Sequence, residues 1–264
     1  MYAQCCVTFM VEQPSKPEDR SLDLFFQLSS ADRKRILLEL RKENLHLNEV
    51  AKRLEMTGTE TLRQLQRLTE ARLLEKMADG KYQLTPYAKL VLDSSSPLDF
   101  ISGHREYFLD HDVFLLPREF RARLGELSGC VLLTTAIDTF NMNTGTLQSA
   151  REKIDATIEV GFATQLEVMK QRIAEGVKVR WLLQESYLPK AREELRSIKK
   201  FPEMRYTTWL FGHLYQNENA ADLQLRKNDG TQDYLSFYGK DPDFLRWAND
   251  FFEHEWKKAK PWYP

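Results

Sequence analysis

Glu60, Arg63, Gln64 and Arg67 recur at helical spacing within "TETLRQLQRLTEARLLEKMADGKYQLTP", residues 59–86. Side chains three and four positions apart share one face of a helix. An arginine suits guanine or a phosphate oxygen, and a glutamine suits adenine, so this set fits the edges of a nucleic-acid duplex. Leu62, Leu65, Leu68 and Ala71 would face inward, leaving Thr59 and the four polar residues outside. Leu74 to Met77 and Lys81 to Leu84 then read as the arms of a hairpin around Ala78-Asp79-Gly80. Lys76 and Lys81 stand where such a hairpin would meet phosphate. The competing reading is a solvated charged face: residues 31–93 carry thirteen Lys/Arg against ten Asp/Glu, a net of only +3.

Further along, His104 and His111 are two helical turns apart, with Asp110 and Asp112 beside them. A metal site can be drawn from these residues, but local capping or pairing explains them more simply, and no metal or cofactor is expected. "LLTTAIDTFNMN", residues 132–143, runs from a strand-like start into polar residues. Ligands of open α/β sheets sit beyond the carboxyl ends of strands, so Thr135, Asp138 and Asn141 are candidate ligand contacts. Trp181, Trp209, His213 and Tyr215 join them as weaker candidates. Turn and cap chemistry competes for the first three, and core packing for the aromatic residues.

These residues need elements to hold them. Residues 1–20 read as a flexible tail whose end, "EQPSKPEDR", is polar and Pro-containing. Leu22, Phe25, Phe26 and Leu28 suggest an amphipathic helix, and Ser30 caps a second with Ile36, Leu37 and Leu40 buried. "LNEVAKRLEM" is a third, and Thr59 to Arg72 a fourth. Three helices and a hairpin are the order of a winged helix, here spanning 21–93, with the helix at 59–72 entering the major groove. Thr85 and Pro86 begin a short helix to Leu92, and "DSSSPLD" supplies a linker at 94–99. Residues 100–264 alternate helices and strands, which defines an α/β layer fold. A long helix is expected from Leu147 to Glu175, a strand at Val177–Gln184, a helix from Pro189 to Lys200, and strands in "MRYTTWLF", "ADLQLRK" and "DYLSFYG". Phe244, Trp247, Phe251 and Glu255 mark a final helix, with Phe252 and Trp256 widening a face that packs on the sheet or on a second copy.

Composition narrows the classes. A chain of 264 residues holds one large domain or two ordinary ones, and its net charge of -1 gives no global attraction to nucleic acid. A mean hydropathy of -0.52 and the lack of a long apolar run argue against a membrane span. No basic segment precedes an apolar core at the N-terminus, so a cytoplasmic location is expected. Cys5, Cys6 and Cys130 have no zinc spacing and read as free thiols.

"TLRQLQRLTEARLLEKMADGKYQLTPYAKLVL" resembles the recognition helix, wing and trailing helix of archaeal winged-helix transcriptional regulators. Arg72 and Ala88 stand where such regulators often have glycine. "LDFISGHREYFLDHDVFLLPREFRARLGEL" is similar to the start of the middle domain of methanogenesis regulatory proteins, and "FYGKDPDFLRWANDFFEHEW" to their C-terminal end. The resemblance implies a sensor or dimerisation domain with a sheet related to the phospholipase D-like fold. That hydrolase chemistry needs an HxK-type histidine; none of His46, His104, His111, His213 and His254 is followed two residues later by lysine. No G-x-S-x-G, HExxH, phosphate loop or CxxC occurs either, so the chain is not expected to be an enzyme. The expectation is a DNA-binding transcriptional regulator, a homodimer on double-stranded DNA, whose second domain senses a small-molecule effector. A protein-interaction adaptor of the transcription machinery is the alternative, and an enzyme using the α/β domain a further one.

Overall fold

Ser30 accepts a hydrogen bond from the Arg33 amide and so opens a helix, as its position ahead of an apolar run predicts. This is α2 (Ala31–Lys42); α1 (Pro17–Leu28) precedes it and α3 (Leu47–Leu54) and α4 (Gly58–Glu70) follow. The computed structural model describes residues 17–161, 163–197 and 201–264. They form two compact units, the first ending at Ser94 and the second running from Ser95 to Pro264. Cys5, Cys6 and most of the expected tail lie outside the described residues, but Pro17 to Arg20 already belong to α1.

In the first unit, Ile36, Leu37, Leu40, Val50, Leu65 and Leu68 are almost wholly buried in one cluster. Each such side chain contributes roughly 1.5–3 kcal/mol by leaving water. β1 (Leu74–Lys76) and β2 (Tyr82–Leu84) pair antiparallel, Leu74 opposite Leu84 and Lys76 opposite Tyr82. Leu45 bridges to Tyr82 and adds a third backbone rung. Gly80 turns the hairpin at φ +88°, a conformation that L side chains rarely adopt. Leu22, Phe25 and Phe26 do not face the core as their spacing suggests; all three are exposed, and Leu24 and Leu28 pack inward instead.

The helix after the hairpin does not stop at Leu92. α5 (Pro86–Gly103) continues through 94–99, so the expected linker is helical. Pro97 removes one helical donor, and the Ser94 hydroxyl bonds back to the Leu90 carbonyl at 2.8 Å. A Ser-Ser-Ser-Pro run is a breaker signal that this helix absorbs.

The second unit is α/β, as expected. Two short helices, α6 (Arg105–Asp110) and α7 (Arg118–Arg121), lead into β3 (Val131–Leu133) and α8 (Ala136–Ser149). β4 (Lys153–Ile158), α9 (Ala163–Ala174), β5 (Lys178–Gln184), α10 (Leu188–Glu194) and β6 (Glu203–Thr207) follow. β7 (Gly212–Asn217), β8 (Ala221–Leu225), β9 (Ser236–Gly239), α11 (Pro242–Lys258) and β10 (Lys260–Pro261) complete the chain. The eight strands lie in the order β10-β6-β5-β4-β7-β8-β9-β3, with β4, β5 and β6 parallel and the other pairings antiparallel.

The single helix expected over residues 147–175 is in fact the end of α8, strand β4 and α9. β4 is central and buried on both faces, so it lacks the alternation that betrays a strand. One sheet face packs Leu214, Leu223 and Phe237 against Phe244, Trp247 and Phe251 of α11. The other packs Ile154, Val179 and Trp181 against Leu147 of α8 and Met169 and Ile173 of α9. The aromatic stripe of α11 is therefore taken up by the sheet.

Candidate nucleic-acid interface and ligand cavity

α4 begins where Thr57 Oγ1 accepts from the Glu60 amide at 3.2 Å. Its buried side is Thr61, Gln64, Leu65 and Leu68. Its exposed side carries Thr59, Leu62, Arg63, Gln66 and Arg67. Two expectations are corrected. Leu62 is 41% exposed, and Gln64 is buried at 4%. At 100° per residue, position 64 falls beside 61, 65 and 68, whereas 62 falls beside 59, 63 and 66. Gln66 is the glutamine on the outer face, and helical phase alone identifies it.

Gln64 is held by Arg33, whose Nη1 donates to Gln64 Oε1 at 3.3 Å. Arg33 is itself buried at 4% and donates to the carbonyls of Gln27 and Phe26. Burial, with Arg67 and Arg63 nearby, holds its pKa below the usual arginine value. The Gln64 amide hydrogen-bonds Glu60, which also takes both Arg63 Nε and Nη2, at 3.0 and 2.8 Å. Those bonds hold the Glu60 carboxyl below its ordinary pKa and raise Arg63. Glu60 is thus an internal partner of Arg63. Arg67 forms no ion pair among the described residues and is the least encumbered cation of the face. On the hairpin, Lys76 is exposed and lies 5.7 Å from the Tyr82 ring, while Lys81 is half-buried beside the turn.

Among the ligand candidates, the structure brings together only His213 and Tyr215, which line a cavity of about 310 Å³ between α8, α9 and β7–β8. Thr135 is the N-cap of α8, accepting from the Asp138 amide at 3.1 Å and donating to its carboxylate at 2.6 Å. Asn141 is exposed on the same helix. Trp181 is a core side chain, and Trp209 is half exposed, with Arg226 4.2 Å from its ring centre. Capping accounts for Thr135 and Asp138, and ring contacts or packing for Trp181 and Trp209.

The cavity has apolar walls from Ile137 and Phe140 and polar groups from Asn143, Gln224 and Tyr234 that sequence reasoning missed. Tyr234 adopts φ +64°, an uncommon backbone for a bulky residue. Beneath the cavity, Asp222 is fully buried and takes Gln224 Nε2 at 3.0 Å. Burial pushes its carboxyl up to about 6, against the hydrogen bond from Gln224. Burial likewise lowers the His213 pKa and favours the neutral ring.

His111 stacks on Tyr107 and bonds Tyr107 O through Nδ1 at 2.8 Å and Asp233 Oδ1 through Nε2 at 3.2 Å. Asp110, His111 and Asp233 offer ligand atoms within 4.8 Å of one another. Lys227 engages Asp110 at 2.9 Å, and His104 is tied to the Phe100 carbonyl at 3.0 Å. Asp112 accepts from the Phe114 amide instead of turning to His111. Asp233, the actual partner of His111, lies 122 residues away and leaves no local signal.

No protein-family model matches the chain, and none of the curated proteins matches it. Among solved structures it is similar to TrmBL2, described as an archaeal chromatin protein with a novel mode of DNA binding. That similarity has 14% identity and a TM-score of 0.43, covering 92% of this chain and 99% of that one. A phospholipase D family member, Nuc from Salmonella typhimurium, matches at 8% identity and a TM-score of 0.39, over 47% of this chain and 91% of the other. The S-adenosylmethionine-dependent methyltransferase SibL matches at 12% identity and a TM-score of 0.27, over 89% and 91%. With methyltransferases among the similar structures, the expectation that the chain is not an enzyme is withdrawn. At these scores the similarities assign no activity to the chain. No helix of the described residues is long and apolar enough to cross a membrane.

Proposed function

We propose that the chain is a DNA-binding transcriptional regulator of archaeal type, with a winged-helix head over residues 21–93 and a sensor and dimerisation domain over 100–264. The observation that carries the reading is the outer face of α4. Thr59, Arg63, Gln66 and Arg67 are exposed on a helix pinned from behind by Leu65 and Leu68, and the hairpin adds Lys76 and Lys81. A helix fixed on its apolar side and polar on the other can enter a major groove, while the hairpin lysines meet phosphate. The exposed Leu22, Phe25 and Phe26 of α1 support a homodimer, because clustered apolar surface on a small domain favours association. The cavity supports effector sensing, with ligand binding linked to DNA affinity.

Arg63→Ala and Arg67→Ala, assayed on the chain's own promoter region at fixed salt, test the face. Truncating an arginine that reads a base should cost about 1–3 kcal/mol of binding. Unchanged affinity in both variants refutes the face.

A further inference from the structure

Asn143 and Gln224 line the cavity, are buried to 3% and 4% exposure, and each has a side-chain oxygen that accepts no hydrogen bond from a described residue. Gln224 Nε2 donates to Asp222 Oδ1 at 3.0 Å, and Asp222 Oδ2 likewise accepts no hydrogen bond from a described residue. Asn143 Oδ1 and Gln224 Oε1 are therefore buried, unpartnered acceptors beside the cavity. A buried acceptor without a donor is costly, so a pair of them marks a place for donors from elsewhere. Asp222 itself makes no ion pair among the described residues. Among the described residues no lysine or arginine lines the cavity, and burial favours the uncharged form of His213. Two unpartnered acceptors and a buried acid therefore lie at a cavity whose described lining holds no lysine or arginine to answer them.

We infer that this cavity binds a small organic cation, an ammonium-bearing molecule with a compact aryl or alkyl body. Its N–H groups would donate to Asn143 Oδ1 and Gln224 Oε1, and the Gln224 amide passes the polarisation to Asp222. Its body would lie against Ile137 and Phe140, within about 310 Å³. A carboxylate or phosphate ligand would meet two carbonyl oxygens and a buried acid, an arrangement that repels it. The inference rests on the reading of the second domain as a sensor, and it supplies the ligand chemistry.

The test is calorimetric titration of the full chain with matched arylalkylamines, the corresponding alcohols and the corresponding carboxylates. Amines should bind at least tenfold more tightly than either partner series. Gln224→Leu should remove that preference. Because Gln224→Leu disturbs the Asp222 network, Ala136→Trp at the exposed mouth provides a second variant, and it should block amine binding while the chain stays folded. Equal or tighter binding of carboxylates, no binding by any series, or amine binding unaffected by Ala136→Trp overturns the inference. DNA affinity measured with each bound compound separates the two readings. Amines that bind without changing DNA affinity uphold the cavity chemistry and refute the sensor role. Carboxylates that bind and change DNA affinity do the reverse.

Discussion

Arg33 Nη1 donates to Gln64 Oε1 at 3.3 Å across 31 residues of sequence. This hydrogen bond takes a glutamine out of the proposed groove-facing set and makes it a support for α4. It also explains how a guanidinium 4% exposed survives: three acceptors and the Phe26 ring, 5.2 Å away, surround it.

Gln64→Ala therefore strikes stability before recognition. Loss of an acceptor to a buried cation should cost about 1–3 kcal/mol in urea unfolding. Gln66→Ala should leave unfolding unchanged and weaken duplex binding. The opposite pattern would return Gln64 to the outer face.

Glu60, itself half-buried, holds the exposed Arg63 through two hydrogen bonds. Glu60→Gln should free the guanidinium and remove a negative charge from a face meant for phosphate. Tighter DNA binding in a fluorescence anisotropy titration is the expected result. Weaker binding would mean that the carboxylate itself reads a base, as it can with cytosine.

Arg72 sits at φ +57°, directly after α4, in the left-handed region. Its backbone still serves the fold, since Thr85 Oγ1 donates to the Arg72 carbonyl at 2.8 Å. Arg72→Gly should relieve the side chain's clash and raise stability by about 1 kcal/mol. A thermal melt with no rise, or a fall, would show that the arginine side chain stabilises the fold by more than its backbone strain costs.

Asp222 gives the second unit a pH signature. Its carboxyl, raised from 3.8 to about 6 by burial, holds its proton more tightly folded than unfolded. The stability it contributes is full below about pH 3.8 and is lost as pH rises through about 6. The loss amounts to about 3 kcal/mol. Denaturant titrations between those pH values should show the fall in the parent and a flatter profile in Asp222→Asn.

Several elements were legible because their signals are local. Ser30 ahead of Ile36 and Leu37, and Asp79-Gly80 between apolar arms, each fix structure within a few residues. β4 was not legible, since a strand buried on both faces has no alternation and Lys153 to Ile158 blends into its neighbours. α5 runs through a Ser-Ser-Ser-Pro breaker, and neither Ser94 nor Pro97 ends it. On α4, the exposure of Arg63 and Arg67 follows from spacing, and helical phase sets Gln64 beside Leu65 and Leu68; only its partner Arg33, 31 residues away, leaves no local signal. Asn143 and Gln224 come together only at the cavity, and nothing in their local sequence announces it.

The salt dependence of duplex binding tests the central claim most directly. For the full chain, the logarithm of the association constant should fall linearly with the logarithm of salt concentration, as counterions leave the phosphates. Arg67→Ala should lower the magnitude of that slope by about 1 if Arg67 contacts phosphate. A binding constant indifferent to salt, or a slope that Arg67→Ala leaves unchanged alongside unchanged affinity, would contradict the account.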